Sequence, residues 1–218
     1  WVQCSKSQSR ETWRTPVRAL RRSGSKTHAS GFWMTEPSRT KTGLADDVKT
    51  HTVLLTLGSN IDPEEHIFKA LEALDRLLVV KAVSGIYEAE PVGAPDTPKF
   101  LNAAVRIETT LAPRALKYEV LRPLEIELGR VRGVDPNSPR TIDIDIAAVE
   151  DLVLTEDDIG FELPDPAMTE HAHLALPLRD AAPDFWHPLA NASLDEIGRR
   201  FMKAPGIHQR KDLIWQAS

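Results

Sequence analysis

From about residue 52 onward, apolar and polar positions alternate in patterns that predict discrete elements. Thr52 to Leu57 is a short apolar run ending at Gly58, and it predicts a first strand. Asp62-Pro63 then opens a helix, with Asp at the N-cap and Pro at the first helical position. Behind it Ile67, Ala70, Leu71, Leu74, Leu77 and Leu78 recur at helical spacing. Lys81 to Tyr87 reads as a second strand. Glu90 to Lys99 holds three prolines and one glycine and is therefore a loop. Asn102 to Thr109 alternates, with Ala104, Arg106 and Glu108 opposite Ala103, Val105 and Ile107. A helix begins near Ala112-Pro113, runs toward Leu128 and is stopped by Gly129. Pro123 lies inside it, removes a backbone hydrogen bond and should kink it.

After a loop over 133–139 the alternation returns. Ile142, Ile144 and Ile146 fall on one face of a strand, and Asp143 and Asp145 on the other. Residues 150–160 form an acidic connection, a short helix spans Leu174 to Ala181, and Ser193-Leu194-Asp195-Glu196 opens a C-terminal helix. Strand, helix, strand, strand, helix, strand predicts an α/β (α+β) chain of ferredoxin-like plan, a mainly antiparallel sheet with helices packed on it.

Composition narrows the class. Hydrophobic content of 41% and charge of 27% are those of a soluble globular protein, and no apolar run approaches the ~20 residues of a membrane span. The single Cys4 excludes an intrachain disulfide and suits a reducing compartment, here the cytoplasm. The net charge of −5 is unevenly spread: residues 1–33 carry +6 and the remainder −11. An acidic body argues against nonspecific nucleic-acid binding. Residues 1–50 are expected to form a disordered or non-native segment ahead of one domain over 51–218. Residues 1–33 are Ser/Arg-rich without apolar periodicity. They fit sequence translated ahead of a start at Met34, an organelle transit peptide, or a disordered tail.

The acidic pair carries the candidate chemistry. Two carboxylates at i, i+2 point the same way, ~7 Å apart along a strand that rises ~3.3 Å per residue. Such a pair can converge on Mg²⁺, which takes oxygen ligands and often shares them with substrate phosphates. Arg140 sits just upstream, within reach of the same phosphates. The spacing alone also fits an edge strand with a solvated acidic face.

Four motifs accompany it. Leu57-Gly58-Ser59-Asn60 follows the first strand, and Glu90-Pro91-Val92-Gly93 precedes Phe100-Leu101-Asn102. Gly129-Arg130-Val131-Arg132 stands about ten residues before Pro139-Arg140-Thr141-Ile142-Asp143-Ile144-Asp145. In this order and at these distances the chain resembles 6-hydroxymethyl-7,8-dihydropterin pyrophosphokinase, a transferase of folate biosynthesis, from about Val53 to about Pro188. The run GRVR, a short loop and PRTIDIDI is highly specific, as a lone DxD would not be.

The resemblance implies the ferredoxin-like fold and the transfer of pyrophosphate from MgATP to the pterin, releasing AMP. It implies that Asp143 and Asp145 hold two Mg²⁺ ions, while Arg130 and Arg140 contact the phosphates and support transfer. It places Arg132 in a mobile loop region and, with Glu125 and Ile146, on the nucleotide side. Gly58, Phe100 and Asn102 would line the pterin pocket, and Pro91 and Val92 would belong to the loop that covers it. Partners would be ATP and pterin, without nucleic acid or membrane, together with other folate enzymes.

The departures fall mostly on the nucleotide side. Asp165 replaces a histidine that contacts ATP, and His171 replaces an arginine that neutralises phosphate. His173 replaces the aromatic that stacks on the pterin. Asn137 stands where some members have a loop Trp, and the helix before Gly129 carries one extra residue near Pro123. These leave two rival readings beside the kinase: an impaired homologue that binds pterin or nucleotide, and a ferredoxin-like interaction module.

Overall fold

The computed structural model describes residues 49–91, 98–132, 139–155 and 159–216. Residues 1–48 of the segment expected to precede the domain, Val92, Asn137, and most of the 133–139 loop lie outside the described residues, as do residues 156–158 of the acidic connection.

The strands are β1 (His51–Ser59), β2 (Val79–Val83), β3 (Tyr87–Ala89), β4 (Phe100–Thr109), β5 (Asp143–Val149), β6 (Trp186–His187), β7 (Ala192–Ser193) and β8 (Ile207–Gln209). The main sheet runs β5-β1-β4-β3-β8, with β2 also on β4, and β6 and β7 pair separately. Every strand pairing among the described residues is antiparallel. The helices are α1 (Pro63–Leu77), α2 (Pro113–Ala115), a π-helical turn (Leu116–Leu121), α3 (Arg122–Glu127), α4 (Ala167–Glu170), α5 (Ala172–Ala181) and α6 (Leu194–Arg199). None is long and apolar enough to cross a membrane.

Alternation along the strands divides the core in two. Val53, Leu55 and Leu57 of β1 and Ala103, Val105 and Ile107 of β4 pack with Ile142, Ile144 and Ile146 against α1 and the π turn. Leu54, Ala104 and Ala148 face the other way, toward Ala175 and Leu178 of α5 and Leu194 and Ile197 of α6. Fully burying each isoleucine of β5 contributes about 1.5–3 kcal/mol. A one-residue slip of β5 would push both aspartates into that core, so the apolar face fixes the register of the acidic one.

Three local expectations differ from the structure. The strand expected over Lys81–Tyr87 is split into β2 and β3. Between them Ser84 bonds twice to Ala104 of β4, its N–H donating to the carbonyl and its Oγ accepting from the amide. A side-chain oxygen thus replaces one ladder carbonyl, and the strand breaks there. Asp62 does not cap α1 through its side chain: its backbone is left-handed (φ 42°), and Pro63 starts the helix without needing a donor. Pro123 falls at the start of α3 rather than inside one regular helix. The π turn before it shifts the hydrogen bonds by one residue, so that Arg122 N–H donates to Lys117 O. The extra residue and the missing donor are absorbed together.

Candidate active site

The register of three neighbouring strands builds the site. Gly58 of β1 is paired with Asp143 of β5 on one side and with Asn102 of β4 on the other. One row across the sheet therefore reads Asp143, Gly58, Asn102, and the next row begins Asp145, Thr56, Ala104. At ~4.8 Å between strands, Asp143 and Asn102 stand ~10 Å apart. This row faces away from the isoleucines, on the side covered by α5.

A cavity of about 280 Å³ opens over these rows. Thr56, Gly58, Asn102, Asp143 and Asp145 form its floor, and Pro91 and Phe100 border it. Arg140 enters from the segment before β5, and Asp165, His173 and Leu174 come from the segment around α4 and α5. Of the residues singled out in the sequence, Gly58, Pro91, Phe100, Asn102, Arg140, Asp143, Asp145, Asp165 and His173 line this cavity. Val92 lies outside the described residues.

The remaining candidates stand apart from the cavity wall. Glu125 is 1% exposed. Its carboxylate accepts Ile144 N–H at 2.7 Å and an Arg132 N–H at 2.6 Å. Burial, and then the nearby Asp143 carboxylate, push its pKa above the usual glutamate range. Arg132 is half-exposed and pairs with Glu125. Arg130 is buried beside Asp143, with Nη2 3.8 Å from its carboxylate, and burial lowers the guanidinium pKa. Ile146, assigned to the nucleotide side, packs in the core instead. The alternation that turns Asp145 outward turns Ile146 inward. His171 lies outside the cavity wall and stacks on His173, ring centroids 5.4 Å apart.

Local structure aims the charged groups. Helix α3 ends in a Schellman motif: Gly129, at φ 83°, donates to Ile126 O, and Arg130 N–H donates to Glu125 O. That turn directs Arg130 back toward β5. Arg140 is fixed from the turn that follows β1, where Asn60 and Ile61 N–H groups donate to its carbonyl and Asn60 Oδ1 accepts its amide at 2.7 Å. Its guanidinium donates to Asp143 and lies over the Phe100 ring, 5.7 Å from the centroid. Asn60 was legible only as part of a motif; its role as the clamp on Arg140 depends on contact across 80 residues.

The donor set suits a hard cation shared with phosphate. Among the described residues no group of three or more His, Cys, Asp or Glu could hold a metal by itself. Asp143 and Asp145 supply carboxylate oxygens on one strand face, so Mg²⁺ there must complete its shell with phosphate oxygens and water. At the other end, Asn102 Nδ2 is buried without a hydrogen-bond partner among the described residues, and an acceptor on a heterocycle edge would satisfy it. Asp165 is tied down by its own amide, which donates to Ala147 O, and by Ala167 N–H, which donates to its carboxylate. Burial raises its pKa. Burial, with the neighbouring His171, lowers the His173 pKa to about 4.

The sequence profile of the 7,8-dihydro-6-hydroxymethylpterin-pyrophosphokinase (HPPK) family matches residues 54–183. A 2-amino-4-hydroxy-6-hydroxymethyldihydropteridine pyrophosphokinase of Pseudomonas aeruginosa is 38% identical over 139 residues, which cover 62% of this chain and 83% of that protein. The folic acid synthesis protein FOL1 of Dictyostelium discoideum is 32% identical over 157 residues, 72% of this chain but only 23% of its own length. In fold, the chain is similar to the crystal structure of wild-type Plasmodium falciparum HPPK-DHPS with pteroate, at a TM-score of 0.56 and 14% identity, over 70% of this chain and 44% of that one. The chain thus spans less than half the length of these last two proteins.

Proposed function

The chain belongs to the 7,8-dihydro-6-hydroxymethylpterin-pyrophosphokinase family, and on that premise we propose that it transfers the β,γ-pyrophosphoryl group of ATP to the hydroxymethyl oxygen of 6-hydroxymethyl-7,8-dihydropterin, releasing AMP. The observation that carries this reading is the row Asp143, Gly58, Asn102. It supports the reading by setting a carboxylate that would take cation and phosphate ~10 Å from an amide that would take a heterocycle edge, on one sheet face. The hydroxymethyl group of a pterin held at Asn102 would extend toward the aspartates.

In the proposed reaction the new bond joins the pterin oxygen to the β-phosphorus as the α,β-bridging bond breaks. The hydroxyl proton leaves for solvent or phosphate, and transfer is direct. Asp143 and Asp145 would hold Mg²⁺, two ions in this reading, whose charge would offset that of the phosphates. Arg130 and Arg140 would orient the transferred group and balance its charge, which is the main work in phosphoryl-type transfer. Gly58 keeps the floor low by lacking a Cβ, which would fit here in ordinary contact, 3.5 Å from Asn102 Oδ1. Phe100 and Pro91 would exclude water from the pterin. Arg132 and Glu125 act from behind β5.

The single cysteine fits the cytoplasm. The much greater length of the FOL1 relative supports association with other folate enzymes. The test is AMP formation from ATP, pterin and Mg²⁺. Asp143→Ala or Asp145→Ala should each lower turnover at least ~10²-fold. No AMP from the unaltered chain refutes the activity, and near-normal turnover in both variants refutes the metal assignment.

A further inference from the structure

The carboxylate pair has an unexpected neighbour. Lys117, from the π turn, is only 5% exposed. Its ammonium donates to the Ile144 carbonyl at 3.2 Å and to the Asp145 carboxylate. Among the described residues strand β5 is an edge strand, paired only with β1. Its outer edge is met by helical side chains instead: Glu125 accepts from Ile144 N–H, and Lys117 donates to Ile144 C=O. Both backbone polar groups of Ile144, the residue between the two aspartates, are thus held from one helical segment.

The helix geometry explains how a lysine reaches this place. Leu116 and Leu121 are both fully buried in the same core. A five-residue step in an α-helix would place them about 140° apart. The π turn brings them onto one face and carries Lys117 inward with Leu116. Its charged end then meets Asp145, which is itself half-exposed and lines the cavity.

We propose that Lys117 is a positioning residue of the carboxylate pair, a resident counter-cation that holds Asp145 and weakens divalent-cation binding until nucleotide arrives. This rests on the reading that Asp143 and Asp145 bind metal. The ammonium already neutralises Asp145, as the Arg130 and Arg140 guanidinium groups neutralise Asp143. A divalent ion must share or displace that contact and bears the repulsion of a nearby unit charge. Phosphates bring the negative charge that lets both cations stay. The arrangement favours the metal entering with ATP rather than before it.

The test is Mn²⁺ binding to the nucleotide-free protein, followed by the electron paramagnetic resonance of free Mn²⁺. Lys117→Gln keeps a donor for Ile144 O without the charge, and Lys117→Met removes both. Each should bind Mn²⁺ about tenfold more tightly than the unaltered chain, whereas Lys117→Arg should not. Metal-free thermal melts check folding. Unchanged or weaker Mn²⁺ binding in folded Lys117→Gln overturns the proposal. So does failure of both neutral variants to fold, which would make Lys117 purely structural. Asp145→Asn separates the two readings: if it leaves Mn²⁺ binding intact, the metal assignment itself fails. If it abolishes binding while Lys117→Gln changes nothing, only the role of Lys117 fails.

Discussion

Replacing His173 by Phe should remove a defined part of the acid sensitivity of the fold. His173 lines the cavity beside Asp165, and its ring stacks on His171. Burial, aided by His171, lowers its pKa from 6.5 to about 4. The folded value lies below the unfolded one, so the stabilising contribution is fully present above about pH 6.5 and is lost as pH falls toward 4. Between pH 7.5 and pH 5.0 the unfolded chain takes up nearly a full proton at this position and the folded chain about a tenth. That difference is worth about 2 kcal/mol. Asp165 and Glu125 act in the opposite sense. Burial raises both, so their contribution is present below the unfolded carboxylate values and is lost as pH rises through the folded ones. The comparison must therefore be between proteins, not between pH values alone. Urea unfolding at pH 7.5 and 5.0 gives the change in stability for each chain. The unaltered chain should lose about 2 kcal/mol more than His173→Phe over this interval, since the carboxylate contributions cancel. Equal losses would mean that His173 is solvated and titrates normally, and that the cavity wall around it is open to water.

Two further outcomes follow from the same geometry. Restoring the residues usual in the family, as Asp165→His with His171→Arg, should strengthen MgATP binding about tenfold, since one charge-assisted contact is worth about 1.5–3 kcal/mol. Calorimetry with a non-hydrolysable ATP analogue would read this, with pterin affinity nearly unchanged, and unchanged or weaker nucleotide binding would show that these positions do not face the phosphates. Glu125→Ala leaves Ile144 N–H without its acceptor in a buried place and should cost about 1–3 kcal/mol in urea unfolding. The half-exposed Arg132 adds little to that figure, and a loss below about 0.5 kcal/mol would show that water replaces the carboxylate.

What the sequence revealed of this site followed from how local each signal was. The Ile/Asp alternation of β5 needs only neighbouring residues, and it correctly turned both aspartates away from the core. The same rule should have kept Ile146 off the nucleotide side. Lys117 was invisible for the opposite reason. In a helix of regular pitch a lysine reads as solvated, and only the five-residue step from Leu116 to Leu121, together with Pro123, hinted that the pitch changes. Glu125 belonged to the site by family resemblance, but its burial behind β5 depends on which edge of the sheet the helix covers. The Asn60 clamp on Arg140 and the Ser84 interruption of the second strand likewise arise from long-range pairing, which no window of the chain contains.

The ion pairs around β5 bear on how the site must work. Asp143 is engaged by Arg140 and approached by Arg130, and Asp145 is engaged by Lys117. The arginines expected to meet phosphate are thus paired with Asp143, while Asp145, also expected to meet metal, is paired with Lys117. On the proposed reading MgATP would have to exchange partners with such an arrangement rather than simply add to it. Each carboxylate would give up or share an organic cation on taking a metal ion, and each guanidinium released would be able to meet phosphate. Metal and nucleotide binding would therefore be coupled, because either alone would leave charges of one sign unbalanced in a partly desolvated cavity. The mutual pairing also holds five charged side chains in place before the substrates arrive, so less ordering is left for the binding step.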